Sequence, residues 1–268
     1  MLRVLVLLFA LAPAGLPQSS TGPATLSLEQ KEEFLKNAKE TRSRDANKGI
    51  TNTKRATLSD GSLTHDASIQ TIDDRQASFQ TAMGTEMNFR DTYKFNIAAY
   101  RLGRLLGLGD MIPPSVGRSH AGSNAAWTWW IDDVLMDEGQ RLKQKVEAPD
   151  KDQWARQYQI MRVFDQLIYN TDRNVGNILY DKNWRLWMID HTRAFRRYTT
   201  LQDPKLLERC DRQLLANLKR LDEKTVTEAI GPWTEPPEIK GLLARRDKIV
   251  AFFEKRGEAA LYDFLPSR

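Results

Sequence analysis

The stretch that most constrains this chain lies between Asn177 and Asp190. The run Ile178-Leu179-Tyr180 and the run Trp184 to Ile189 flank the triplet Asp181-Lys182-Asn183. Short apolar segments on either side of an Asp/Asn turn read as a tight β-hairpin. Such a hairpin brings its ends back together, so Asn177 at the start of one strand and Asp190 at the end of the other are expected side by side. Upstream, a helix over about Gln153 to Ile168 leads into the loop Tyr169-Asn170-Thr171-Asp172-Arg173-Asn174-Val175-Gly176. Asp172 precedes Asn177 by five positions, and Gly176 lets the loop bend between them. Three oxygen-bearing side chains are therefore expected in one cleft. An amide oxygen and a carboxylate are hard ligands, suited to a divalent cation already held by phosphates. A second carboxylate beside them is placed to orient or deprotonate a hydroxyl. The spacing D-x-x-x-x-N is common in loops. Its weight here comes from the helix, the hairpin and a carboxylate directly after an apolar strand.

The rest of the chain gives that hairpin an α+β setting. With 268 residues, 41% hydrophobic and 28% charged, the chain has enough material for one large domain or two small lobes. Ser27-Leu28-Glu29-Gln30 has the spacing of a capping box, opening a helix to about Ala38. Gly49-Ile50-Thr51, Arg55 to Leu58 and Thr64 to Ile72 read as strands, the last two joined by the turn signal Asp60-Gly61. A helix is expected from about Asp91 to Leu106, ended by Gly107. Pro113 to Gly117 and Ala126 to Val134 read as two more strands. In the second, Trp127, Trp129 and Ile131 alternate with Thr128, Trp130 and Asp132, which points to sheet packing. After a polar link, Asp137 to Asp150, helices are expected around 153–168, 203–210, 211–221 and 238–256. The division this implies is a signal peptide at 1–14, a leader with one helix at 15–47, a first lobe at 48–136 and a second at 137–268.

The N-terminus suggests export. Met1-Leu2-Arg3 places a positive charge before an apolar run from Val4 to Ala14, followed by small and then polar residues. This is the layout of a secretory signal peptide. The run is about half the length of a membrane span, so no transmembrane anchor is expected. Cys210 is the sole cysteine and has no internal partner. Export without disulfides points to a bacterial-type envelope, with a periplasmic or extracellular location. Lys and Arg number 40 against 35 Asp and Glu, a formal net charge of +5 with the signs interspersed. No basic block stands out, and no nucleic-acid partner is expected.

Asp172-Arg173-Asn174-Val175-Gly176-Asn177-Ile178-Leu179, followed by Ile189-Asp190-His191, resembles the catalytic and metal loops of the phosphatidylinositol 3-/4-kinase-like branch of the protein-kinase-like superfamily. Secretory-pathway casein kinases and bacterial toxin kinases belong to that branch. The helix Asn96-Ile97-Ala98-Ala99-Tyr100-Arg101-Leu102 also looks like the first-lobe helix of these proteins. The resemblance covers roughly 48–256. It implies a protein-kinase-like two-lobed fold, with a small antiparallel-sheet lobe and a mainly helical lobe. It also implies ATP with Mg²⁺ or Mn²⁺, and a hydroxyl acceptor on protein, lipid or sugar. Carried over by position, it makes Asp172 the catalytic base, Asn177 a metal ligand and Asp190 the principal metal ligand.

The chain departs from this pattern in the first lobe. In the family a lysine on the third strand grips phosphates, and an acidic residue on the helix holds it. Gln70 stands at the lysine position here and Asn96 at the acidic one. Losing both charges leaves neither stranded, and the two amides remain able to bond to each other. Lys48, Lys54 and Lys94 are the basic residues left to reach a nucleotide. No glycine-rich phosphate loop stands out. His65, His120 and His191 lack the spacing of a zinc site. Arg193, close after Asp190, is read as holding the loop or an anionic substrate, or equally as an ordinary surface or ion-pair residue. Three functions are therefore open: a metal-dependent phosphotransferase, a catalytically impaired nucleotide-binding scaffold or activator, and a ligand-binding envelope protein.

Overall fold

A computed structural model of the chain describes residues 26–46, 53–81 and 84–266. The expected signal peptide, the expected strand at Gly49-Ile50-Thr51 and the candidate Lys48 lie outside the described residues. The first helix, α1 (Leu28–Asn37), starts at the capping box its sequence implies. The Ser27 hydroxyl accepts from the Gln30 N–H at 3.2 Å, and the Gln30 carboxamide accepts from the Ser27 N–H at 2.8 Å. There follow β1 (Lys39–Asp45), β2 (Lys54–Ser59), β3 (Thr64–Gln70), β4 (Asp73–Thr81), β5 (Gly84–Thr92) and α2 (Lys94–Leu106). Then come β6 (Ser115–His120), β7 (Ser123–Trp129) and β8 (Val134–Asp137).

A five-stranded antiparallel sheet, ordered β1-β2-β3-β7-β6, forms one layer, with α1 and α2 packed on it. Its core gathers Phe34, Leu35, Leu58, Ile69, Val116, Trp127 and Trp129. Both tryptophans pack inward, as the alternation implies. Arg118 on β6 donates to the carbonyls of Leu35 and Ala38 at 3.0 and 2.7 Å, closing the end of α1 onto the sheet. Buried Glu32 on α1 accepts from the Tyr100 hydroxyl at 2.8 Å and from Arg104 at 2.6 Å, both on α2.

The second half is mainly helical: α3 (Glu138–Gln144), α4 (Lys151–Ile168), α5 (Arg212–Arg220), α6 (Glu223–Ile230) and α7 (Pro236–Arg256). The hairpin β9 (Ile178–Asp181) and β10 (Leu186–Met188) sits among them, with Leu186 opposite Tyr180 and Met188 opposite Ile178, its second strand shorter than the expected Trp184 to Ile189. It joins β8 to make a three-stranded sheet, and β11 (Cys210–Asp211) pairs in parallel with β12 (Leu261–Tyr262). Among the described residues no helix is long and apolar enough to cross a membrane.

Several elements differ from the sequence reading. β1 lies ahead of residue 48, and its residues are all exposed. An exposed edge strand of charged residues has no buried face for periodicity to reveal. The ribbon of β4 and β5 is marked by no pattern, and it takes Asp91 and Thr92 from the start of the expected helix. The helix expected at 203–210 is instead a 3₁₀ turn, Pro204–Leu206, followed by β11. Asp211 explains the extended geometry there. Its carboxylate caps α5 through Leu214 N–H at 2.8 Å and also accepts the N–H groups of Phe264 and Leu265. The polar link contains α3, capped by Asp137 and Gln140.

The β4–β5 ribbon bridges the sheet half to the helical half. Thr92 N–H donates to Thr192 O at 3.0 Å, and Arg196 donates to Arg90 O at 2.6 Å. Arg90 is itself buried against Glu238 on α7, at 2.6 Å, with both side chains under a tenth exposed. Removing one partner of a buried ion pair leaves an uncompensated charge, at a cost of about 3–5 kcal/mol. Arg90→Met is expected to lower the melting temperature by several degrees. Adding Glu238→Gln, which keeps the bond to Glu235 N–H but removes the charge, is expected to restore at least half of that loss; calorimetric unfolding of both variants checks this.

Candidate functional site

The loop after α4 is built around Arg173. Tyr169 ends the helix in the left-handed region, at φ 50°, and turns the chain toward the hairpin. The Arg173 side chain folds back against the last turn of α4 and meets Asp165 with two nitrogens, Nε at 2.9 Å and Nη2 at 3.0 Å. This is the bidentate geometry that suits guanidinium and carboxylate. Its remaining terminal nitrogen donates to Asn177 O at 2.9 Å and Ile189 O at 2.8 Å. One largely buried side chain thus holds both ends of the β9–β10 hairpin. From α7, fully buried Arg245 donates to Leu167 O and Arg196 O at 2.8 and 2.9 Å, and also to Tyr198 O. Burial pulls the Arg245 pKa down to about 9.

The hairpin sets Ile189, the residue before Asp190, opposite Asn177: Ile189 N–H donates to Asn177 O at 3.1 Å. Asn177 donates its side-chain N–H to Asp172 O at 3.0 Å, which ties the two ends of the five-residue spacing. Its amide oxygen accepts no hydrogen bond among the described residues. The Asp172 carboxylate is steadied by Asn174 at 3.2 Å, and its own N–H donates to Asn170 Oδ1 at 3.0 Å. Asp190 takes the left-handed region, with φ 53°.

Gln70 and Asn96 also meet. Asn96 Nδ2 donates to Gln70 Oε1 at 2.5 Å, and Gln70 Nε2 reaches Asp190 Oδ1 at 3.4 Å. The Asn96 carboxamide oxygen accepts from His191 N–H at 2.7 Å. A chain of neutral amides therefore runs from α2 through β3 to the carboxylate. Burial drives the Asp190 pKa up, the bonds from Gln70 and Thr192 oppose that rise, and the charges of Asp91 and Asp172 add to it. His191 is buried; desolvation, and then the Arg173 charge, push its pKa well below the ordinary histidine value and keep the ring neutral. Lys54 and Lys94 are not drawn into this cluster: Lys54 bonds to Asp45 at 2.9 Å and Lys94 to Asp73 at 2.7 Å.

Sequence reasoning missed Asp91 and did not settle Arg193. Asp91, on β5, is 2% exposed and accepts from Arg193 Nε at 2.7 Å. The Arg193 charge also interacts with Asp172 and Asp190. No spacing signals a pair separated by this much chain. Asp165 did carry a signal, as a lone carboxylate in the apolar segment Val163-Phe164-Asp165-Gln166-Leu167.

Among the described residues no group of three or more His, Cys, Asp or Glu could hold a metal. The donors that could contribute are the Asp190 carboxylate and the Asn177 amide oxygen. Two hard oxygens fall short of a protein cage, and they fit a cation that is completed by phosphate oxygens and water. Asp190, a half-buried carboxylate whose hydrogen bonds among the described residues come from neutral groups, also fits a nearby cation.

A folded pKa raised above the unfolded one means the folded chain binds the Asp190 proton more tightly. Stability from this group is complete below the ordinary value of 3.8 and is lost as pH rises through the raised value. Asp190→Asn, tolerated at positive φ, is expected to raise the melting temperature of metal-free protein at neutral pH. The gain over the unsubstituted chain should vanish as pH falls toward 3.8. Thermal scans across pH in chelator check this, and a gain independent of pH would contradict the assignment.

No protein-family model and no curated protein matches the sequence. Solved structures do match by shape. A structure of hydra Fam20 with sugar superposes with a TM-score of 0.64 at 16% identity, covering 91% of this chain and 94% of that one. The Helicobacter pylori proinflammatory kinase CtkA gives a TM-score of 0.50 at 10% identity, covering 81% of this chain and 93% of that one. The antiparallel-sheet lobe, the helical lobe and these likenesses establish the chain as a protein-kinase-like two-lobed fold.

Proposed function

We propose that the chain is a metal-dependent phosphotransferase, moving the terminal phosphoryl group of ATP to a hydroxyl, within the phosphatidylinositol 3-/4-kinase-like branch its motifs resemble. The observation that carries this reading is the gathering of Asp172, Asn177 and Asp190 around one hairpin mouth, clamped by Arg173 through Asn177 O and Ile189 O. Asp190 and Asn177 would hold Mg²⁺ or Mn²⁺, which neutralises charge on the phosphates. Asp172 would accept the proton of the acceptor hydroxyl, its carboxylate aimed by Asn174. The hydra protein was solved with sugar, so sugar hydroxyls are the first acceptors to test, ahead of protein and lipid. Export of the protein, suggested by its N-terminal apolar run, belongs to the same proposal.

A second reading, a nucleotide-binding scaffold or activator without catalysis, is favoured by the neutral Gln70–Asn96 pair, because a missing phosphate-gripping cation lowers transition-state stabilisation. Transfer of labelled phosphate from ATP separates the two. Under the first reading, transfer is measurable with Mn²⁺ and falls about 100-fold or more in Asp172→Asn. Stabilisation of the fold by ATP and Mn²⁺ should disappear in Asp190→Ala under either reading. Stabilisation without transfer to sugar, protein or lipid would leave the scaffold.

A further inference from the structure

The Gln70–Asn96 amide chain leaves the site without the cation usual at that position, and Lys54 and Lys94 are bonded elsewhere. Arg193 is differently placed. It follows Asp190 by three residues, and its charge interacts with Asp91, Asp172 and Asp190 together. Thr171, next to Asp172, anchors its backbone by donating twice to Arg193 O, from N–H at 3.2 Å and from the hydroxyl at 2.9 Å. The side chain is held by one bond, Nε to Asp91 Oδ2 at 2.7 Å. It also lies over the stacked rings of Phe79 and Phe89 on the β4–β5 ribbon, 5.9 and 5.6 Å from their centroids. Both terminal nitrogens are free of hydrogen bonds among the described residues, and the side chain is 37% exposed.

An arginine fixed through Nε, with its two terminal nitrogens open, has the fork that phosphate oxygens accept. Asp91 is a buried carboxylate, and its other oxygen lacks a hydrogen-bond partner among the described residues. Ordering the guanidinium is work it is placed to do. We propose that Arg193 is the phosphate-binding cation of this site, positioned by Asp91 and supplying the contact that Gln70 cannot make to the terminal phosphates of the nucleotide. This rests on the phosphotransfer reading, and it moves the missing charge from the third strand to the segment after Asp190. Arg193 would touch the nucleotide; Asp91 acts through it as a positioning residue.

Binding of ATP and AMP to the full chain in Mn²⁺, measured by titration calorimetry, tests this. The unsubstituted chain should bind ATP well ahead of AMP. Arg193→Gln should weaken ATP about ten- to a hundred-fold, the range of a lost charge-assisted contact, while AMP changes little. Arg193→Lys should fall between, keeping the charge and losing the fork. The pair Asp91→Asn with Arg193→Gln strands no carboxylate, and should show the same selective loss in a protein that melts as the unsubstituted one does. An unchanged ATP-to-AMP ratio in Arg193→Gln, or an equal loss for both nucleotides, overturns the arginine's role while leaving phosphotransfer standing. Absence of ATP binding by the unsubstituted chain overturns both.

Discussion

The largely buried pair of Arg173 and Asp165 is the interaction on which the site depends. A guanidinium has five donors, and here two meet one carboxylate while others reach the carbonyls at the start and the end of the hairpin. The pair links the end of α4, the loop and both hairpin mouths into one rigid piece. Without it, the β-ribbon would still hold Ile189 opposite Asn177 and Asn177 would keep its bond to Asp172 O, but the loop would lose its tie to α4 and to the two hairpin carbonyls. Buried ion pairs are weak stabilisers. This one serves geometry, since every donor it spends goes to a backbone group or carboxylate that positions a site residue.

The amide chain through Asn96 and Gln70 is a second constraint, with the opposite electrostatic character. A lysine and a carboxylate in these buried positions would have to be kept or lost together, because one alone would strand a charge away from water. Two amides satisfy each other and still bond Asp190 and the His191 N–H. The consequence falls on Asp190. Its hydrogen-bonding neighbours are neutral, the charges of Asp91 and Asp172 push its pKa up, and the Arg193 charge stands opposite them. Positive charge has moved to the edge of the cluster, where Arg193 stands.

The β4–β5 ribbon makes the two halves one body. It leaves the sheet after β3, carries Asp91 to the site, and lays Arg75 and Arg90 against Glu235 and Glu238. The same ribbon therefore shapes the site and fixes the lobes against each other, so its position bears on both stability and chemistry.

Much of this was legible in the sequence, where the physics is local. The capping box of α1, the Asp60-Gly61 turn, the inward tryptophans and the hairpin after Asn177 follow from spacing and chain geometry. The placement of Gln70 beside Asn96 followed from the resemblance, and the structure joins them by a hydrogen bond. What only the tertiary structure decided has no local signature. β1 is an exposed edge with no buried face, the ribbon β4–β5 has no continuous apolar side, and Cys210 lies on a strand because Asp211 is claimed by both α5 and the C-terminal segment. Asp91 meets Arg193 across 102 positions. Hairpins and caps are chosen by neighbours in the chain, whereas a buried charge finds its partner through the packing of the whole molecule, which no short window of sequence contains.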